Sequence, residues 1–264
     1  MKYINYLKNK NLAKTTIDIY IKQYQKWYLY LGDRKPNKTL FVKYINSHNK
    51  THSPNSIRLI YSSLISIFKF EKKWKLINQC KDIKLPTTQQ INRKIISLIE
   101  YENVKNTIEF NNKIEKRNWI IFSFLFLTGV RVSELLEFNK NKIYDENKLK
   151  IKGKGNKIRV IFLTKYLQEL LTSWKANRIP INSKNKLITI KQINTIVKKI
   201  SNKYFNKELT PHGLRRSYAT NLLKNNVNIE IVKQTLGHSN INTTSRYIQI
   251  NEEDIYQEIT KIMN

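Results

Sequence analysis

The side chains best suited to chemistry lie between Thr210 and Tyr247, where His212 and Arg215 stand three residues apart, His238 follows Gly237, and Tyr247 comes nine residues after His238. A guanidinium grips an oxyanion through a fork of N–H donors, an imidazole moves protons near neutral pH, and a phenolic oxygen is a nucleophile once activated. The set therefore handles an anion and ends in a nucleophile. Upstream, Arg131 precedes Glu134 by three residues, which suits a carboxylate that orients a guanidinium by a charge-assisted hydrogen bond. Lys154, in the run KGKGNK, adds an ammonium. Two guanidiniums could hold the non-bridging oxygens of a phosphodiester while Tyr247 attacks phosphorus and an acid protonates the departing oxygen. With fifteen tyrosines in the chain, residue type alone does not single out Tyr247.

These residues need elements to hold them. Thr210 is a good N-cap and Pro211 suits the first helical position, so a helix is predicted from there, with Leu214, Tyr218 and Leu222 recurring at i, i+4, i+8 on its core side. Gly237 should end the next helix, IEIVKQTL, and a short helix capped by Asn242 would bring Tyr247 back towards His238. Gly129 is placed to stop the apolar run before it, after which Val132, Leu135 and Leu136 face the core. From Lys148 to Leu163 the chain alternates on either side of Gly153–Asn156, which predicts a β-hairpin with Lys154 at its turn.

At these positions the sequence resembles the tyrosine recombinase (phage integrase) family. The family's first box, T-G-x-R-x-x-E-L, is matched by Thr128, Gly129, Arg131, Glu134 and Leu135; its hairpin lysine by Lys154; its His-x-x-Arg box by His212 and Arg215; its later histidine by His238; and its nucleophile by Tyr247. Gly213 and Arg216 depart from residues common in the family, Asp and His, at places that need not touch phosphate. The resemblance implies a mainly α fold with a small β-hairpin or sheet, organised as a two-domain, C-shaped DNA clamp: an all-α core-binding domain and an α+β catalytic domain. It implies cleavage and rejoining of DNA through a 3′-phosphotyrosine and a Holliday junction, with no cofactor, by a homotetramer on two duplexes of the recombination site. In such assemblies the C-terminal helix can be exchanged between protomers. The simplest members, Xer-like or Cre-like and without an arm-binding domain, fit a helical domain that begins within a few residues of Met1. Two alternatives share the clamp: relaxation of DNA in the manner of a type IB topoisomerase, and DNA binding without catalysis.

Composition narrows the classes. Forty-nine Lys and Arg against nineteen Asp and Glu give +30 at neutral pH, which implies a polyanionic partner, foremost a nucleic acid. A Lys-, Asn- and Ile-rich chain also results from AT-rich coding, but that does not explain why Arg131, Arg215 and Arg246, of ten arginines, fall in the motifs. The one cysteine, Cys80, excludes an internal disulfide and fits a reducing compartment. The N-terminus has no secretory h-region, and the most apolar run, Trp119–Leu127, is nine residues, too short to span a bilayer. A cytoplasmic, DNA-associated protein is expected. GKGNK lacks the spacing of a P-loop, and no carboxylate cluster suits two-metal catalysis.

Along the chain, residues 1–85 read as helices, residues 86–93 as a linker at the end of the polar run from Lys81, and residues 94–264 as the catalytic domain. In the first part, Thr15 or Thr16 is the expected cap of a helix to Leu31 whose apolar side runs from Ile17 through Trp27, and Ser53-Pro54 opens another carrying Ile57, Ile60, Leu64 and Phe68. Helices are also expected after Thr164, through Ile190–Ile200, and in the acidic, amphipathic stretch NEEDIYQEITKIM.

Overall fold

The computed structural model describes residues 2–87, 94–145, 147–153, 158–182, 186–237 and 252–263. It is mostly helical with one small sheet, and its contacts divide it into two units, Met1–Ile91 and Asn92–Asn264.

The first unit is built from α1 (Lys2–Asn9), α2 (Lys14–Leu31), α3 (Lys38–Ser47), α4 (Pro54–Phe70) and α5 (Trp74–Cys80). Its core follows the helical spacing of the sequence: Ile57, Ile60, Leu64, Ile67 and Phe68 of α4 close on Trp27 and Leu31 of α2 and on Phe41 of α3. Trp27 meets Tyr44 edge to face with ring centroids 5.1 Å apart. Ser53 caps α4, accepting from the Ser56 N–H, and Pro54 takes the first turn as expected. The cap of α2 is different from the expectation. The helix starts at Lys14, and the N–H groups of Thr16 and Ile17 donate to the Ala13 carbonyl, so Thr15 and Thr16 lie within the first turn and Ala13 is the cap. Ile83 and Leu85 pack on this core, so the polar run after Lys81 still belongs in part to the helical unit.

The second unit contains α6 (Leu98–Thr107), α7 (Lys113–Thr128), α8 (Val132–Leu136), a 3-10 turn (Lys140–Lys142), β1 (Ile143–Tyr144), β2 (Lys148–Lys152), β3 (Ile158–Phe162), α9 (Lys165–Thr172), α10 (Ile190–Phe205), α11 (Pro211–Lys224), α12 (Ile229–Leu236) and α13 (Glu252–Met263). Helix α7 is the axis of this unit. It is buried on every side from Trp119 to Thr128 because α9, α10 and α11 pack around it. An apolar run without a polar face requires such wrapping. Tyr101 of α6 stacks on Phe126 at 4.4 Å, and its hydroxyl donates to Ser123 at 2.7 Å. Asn112 caps the start of α7, and Gly129 ends it at φ 61°. A Cβ at Gly129 would lie 2.5 Å from Cδ1 of Tyr218, so the turn needs glycine for both conformation and space.

The sheet is antiparallel in the order β1-β2-β3, with Leu149 opposite Ile161 and Ile151 opposite Arg159. The hairpin β2-β3 matches the alternation read from the sequence; its turn, with Lys154, lies outside the described residues. Strand β1, only two residues long, was not legible as a strand. Helix α13 lies on β3 of its own chain and buries Ile255, Ile259 and Met263 in the core of the second unit.

Candidate active site

The end of α7, the start of α8, strand β3, the first half of α11 and the end of α12 meet around one carboxylate. Glu134 is almost wholly buried. Its Oε1 accepts from Arg131 Nη1 at 3.0 Å and from Arg159 Nη1 at 2.9 Å; its Oε2 accepts from the Arg131 backbone N–H at 2.7 Å and from Arg159 Nη2 at 2.8 Å. Burial alone would raise its carboxyl group. The hydrogen bonds from Arg159 and Arg131 outweigh that and hold it below the ordinary carboxylate range, so Glu134 is ionised at neutral pH.

Arg131 occupies the N-cap of α8 with extended backbone, not a position inside the helix, because Gly129 has just turned the chain. Its side chain is 36% exposed and reaches the Gly237 carbonyl with Nη2 at 3.4 Å. Arg215 sits one turn into α11, whose start is fixed by Thr210, which accepts from the Gly213 N–H, and by Pro211. Leu214, Tyr218 and Leu222 are buried, as their spacing predicts. The guanidinium of Arg215 is buried as well, donating through Nη1 to the Gly129 carbonyl at 2.6 Å and through Nη2 to the Leu236 carbonyl. Burial, and then the neighbouring charges of Arg131 and Arg159, draw it down to about 10, which leaves it protonated at neutral pH.

The three guanidiniums share a second support. Arg159 Nε donates to the Thr235 carbonyl at 2.8 Å, Arg215 to that of Leu236 and Arg131 to that of Gly237. These are consecutive carbonyls at the C-terminal end of α12, where a helix leaves acceptors unpaired and carries partial negative charge. Gly237 closes the helix in the left-handed region at φ 64°. Three arginines against one glutamate leave two positive charges at the site, a ready anion receptor.

His212 lies in the first turn of α11 and is exposed. Lys154, His238 and Tyr247, as well as the expected helix at Asn242, lie outside the described residues. The described part of the site thus brings together Arg131, Glu134 and Arg215, with His212 at the start of the same helix as Arg215. It adds Arg159, which sequence reasoning missed. The signal was its place in KIRVIFL, where alternation puts a charged residue in a strand paired within the unit; its side chain is 9% exposed. Among the described residues no group of three or more His, Cys, Asp or Glu stands together as metal ligands.

Comparison with known proteins places the sequence as follows. Residues 97–254 match the description "Phage integrase family". A tyrosine recombinase XerD of Staphylococcus epidermidis is 27% identical, over 98% of this chain and 96% of its own length. A tyrosine recombinase XerA of Thermococcus kodakarensis is 28% identical, over 89% and 84%. Among solved structures, the XerH site-specific recombinase in a pre-cleavage complex with its difH substrate superposes with a TM-score of 0.70 at 20% identity, covering 94% of this chain and 79% of that one. A lambda integrase tetramer bound to a Holliday junction gives 0.73 at 17%, covering 94% and 78%. At those identities the structures speak for the fold.

Proposed function

Because the chain belongs to the phage integrase family, and is a tyrosine-type site-specific DNA recombinase, we propose that the cluster around Glu134 is where it receives the scissile phosphate. The carrying observation is that Arg131 and Arg215, far apart in sequence, come to successive carbonyls of one helix end beside a single ionised carboxylate. Two guanidiniums so held can each contact a non-bridging oxygen and neutralise the charge that grows on it in the transition state.

In this reading Tyr247 is the nucleophile. Its oxygen bonds to phosphorus as the bond to the 5′ oxygen breaks, Lys154 protonates that leaving oxygen, and the strand is held as a 3′-phosphotyrosine. His212 moves the proton at the tyrosine, and His238 donates a hydrogen bond to the phosphate. A 5′-hydroxyl from the partner strand then attacks phosphorus and releases the tyrosine, which conserves the ester bond without ATP. Strand exchange passes through a Holliday junction. The similar proteins are tyrosine recombinases, which weights the reading away from DNA relaxation and from binding without catalysis.

Residues 1–85 are proposed to be the core-binding domain and residues 94–264 the catalytic domain, joined by residues 86–93 and closing on duplex DNA as a clamp. Assembly as a tetramer on two duplexes is proposed from the lambda integrase tetramer on a Holliday junction.

The test is Arg215→Lys. A point ammonium cannot reproduce a fork that holds a backbone carbonyl and a phosphate oxygen together, so covalent strand cleavage at saturating DNA should fall about 10²–10³-fold, with DNA affinity nearly unchanged. Cleavage by Arg215→Lys at the wild-type rate would remove Arg215 from the phosphate.

A further inference from the structure

Arg159 bridges two fixed parts of the site, Glu134 of α8 and the end of α12. Its fork takes both oxygens of Glu134, its Nε holds the Thr235 carbonyl, and its Cδ and Nη1 would lie 3.1 and 3.2 Å from a Cβ at Gly237. It does so from β3, the strand paired antiparallel with β2. The carboxylate it grips is the one that aims Arg131, and the helix end it grips presents the Leu236 and Gly237 carbonyls to Arg215 and Arg131.

We infer that Arg159 is a positioning residue for strand cleavage, a buried tie that joins the hairpin to both arginine boxes by holding Glu134 and the end of α12 in register. The inference rests on the assignment of Arg131 and Arg215 to the scissile phosphate. All three nitrogens of the Arg159 guanidinium are committed to Glu134 and Thr235 within the fold, which sets it apart from a phosphate contact. Three donors in a rigid planar arrangement meet three acceptors on two elements. Lysine offers one nitrogen and cannot span them. Loss of the fork frees the carboxylate to turn, and with it the guanidinium of Arg131.

The experiment is a double-mutant cycle on covalent cleavage of a nicked duplex carrying the recombination site, with Arg159→Lys, Glu134→Gln and the pair, at saturating DNA and normalised to the folded fraction. Arg159→Lys should slow cleavage about tenfold to a hundredfold, the usual cost of losing a group that orients a direct contact, and leave the Kd for DNA within about threefold. If Arg159 acts through Glu134, adding Arg159→Lys to Glu134→Gln should change the rate by no more than about threefold. Multiplying effects, a wild-type rate for Arg159→Lys, or a loss seen only in Kd would each overturn the inference. Should Arg159→Lys fail to fold, Arg159→Gln with Glu134→Gln removes both charges together; it should cleave at the Glu134→Gln rate, and a further tenfold loss would overturn the inference. If wild-type protein binds the substrate yet gives no adduct, the reading of the site fails and the inference with it.

Discussion

Glu134 saturates its acceptor positions with four donors from two arginines, and its charge offsets part of the repulsion among the guanidiniums gathered beside it. Breaking such a buried network by removing one partner strands the other charge. Arg131, Glu134 and Arg215 were legible in the sequence because their spacings are tied to local elements, a stop glycine and a capped helix. Arg159 was passed over: its alternation with Ile161 marks the core-facing side of the strand, but the carboxylate that makes a buried arginine tenable lies across the fold. The carbonyls of Thr235, Leu236 and Gly237 were equally silent, because backbone acceptors leave no mark in residue type. Gly129 is the residue where conformation and chemistry coincide: it turns the chain at positive φ, packs against Tyr218 and offers its carbonyl to Arg215. Gly129→Ala should therefore cost about 1–2 kcal/mol in left-handed strain and about 1–3 kcal/mol in overpacking. Thermal melting should show the loss, together with slower cleavage, whereas an unchanged melting temperature would mean that the turn relaxes freely.

Among the elements, α12 and α13 frame the stretch that carries His238 and Tyr247. Helix α12 contributes its C-terminal carbonyls, and α13 is seated on β3 of the same chain through Ile255, Ile259 and Met263. The amphipathic period of NEEDIYQEITKIM predicted that a face would be buried but could not say against which copy of the chain, because periodicity records a face and not its partner. Ile259 is 1% exposed within this core. Ile259→Ala should destabilise the second unit by about 2–5 kcal/mol, read as faster amide exchange in α13 and β3 of free protein. Unchanged exchange there would place α13 elsewhere in solution, as exchange between protomers would require. The shortest element was the one sequence reading lost: β1 has two residues, too few for any period to show.

For the whole molecule, a charge of +30 supplies attraction to DNA but no chemistry, and every basic protein of this size would share it. What distinguishes this one is that the end of α12 and one glutamate gather three arginines into a single cluster. The division at residues 91 and 92 separates a helical unit from the unit that contains this cluster, and the motifs lie wholly in the latter. The most direct measurement is covalent capture: purified protein, with chelator and without ATP, on a nicked suicide duplex bearing its recombination site, followed by denaturing electrophoresis and mass mapping. The account predicts a denaturant-stable adduct joining Tyr247 to a DNA 3′-phosphate, absent in Tyr247→Phe while DNA binding persists. An adduct on another residue, a 5′-phosphate linkage, or capture by Tyr247→Phe would contradict it.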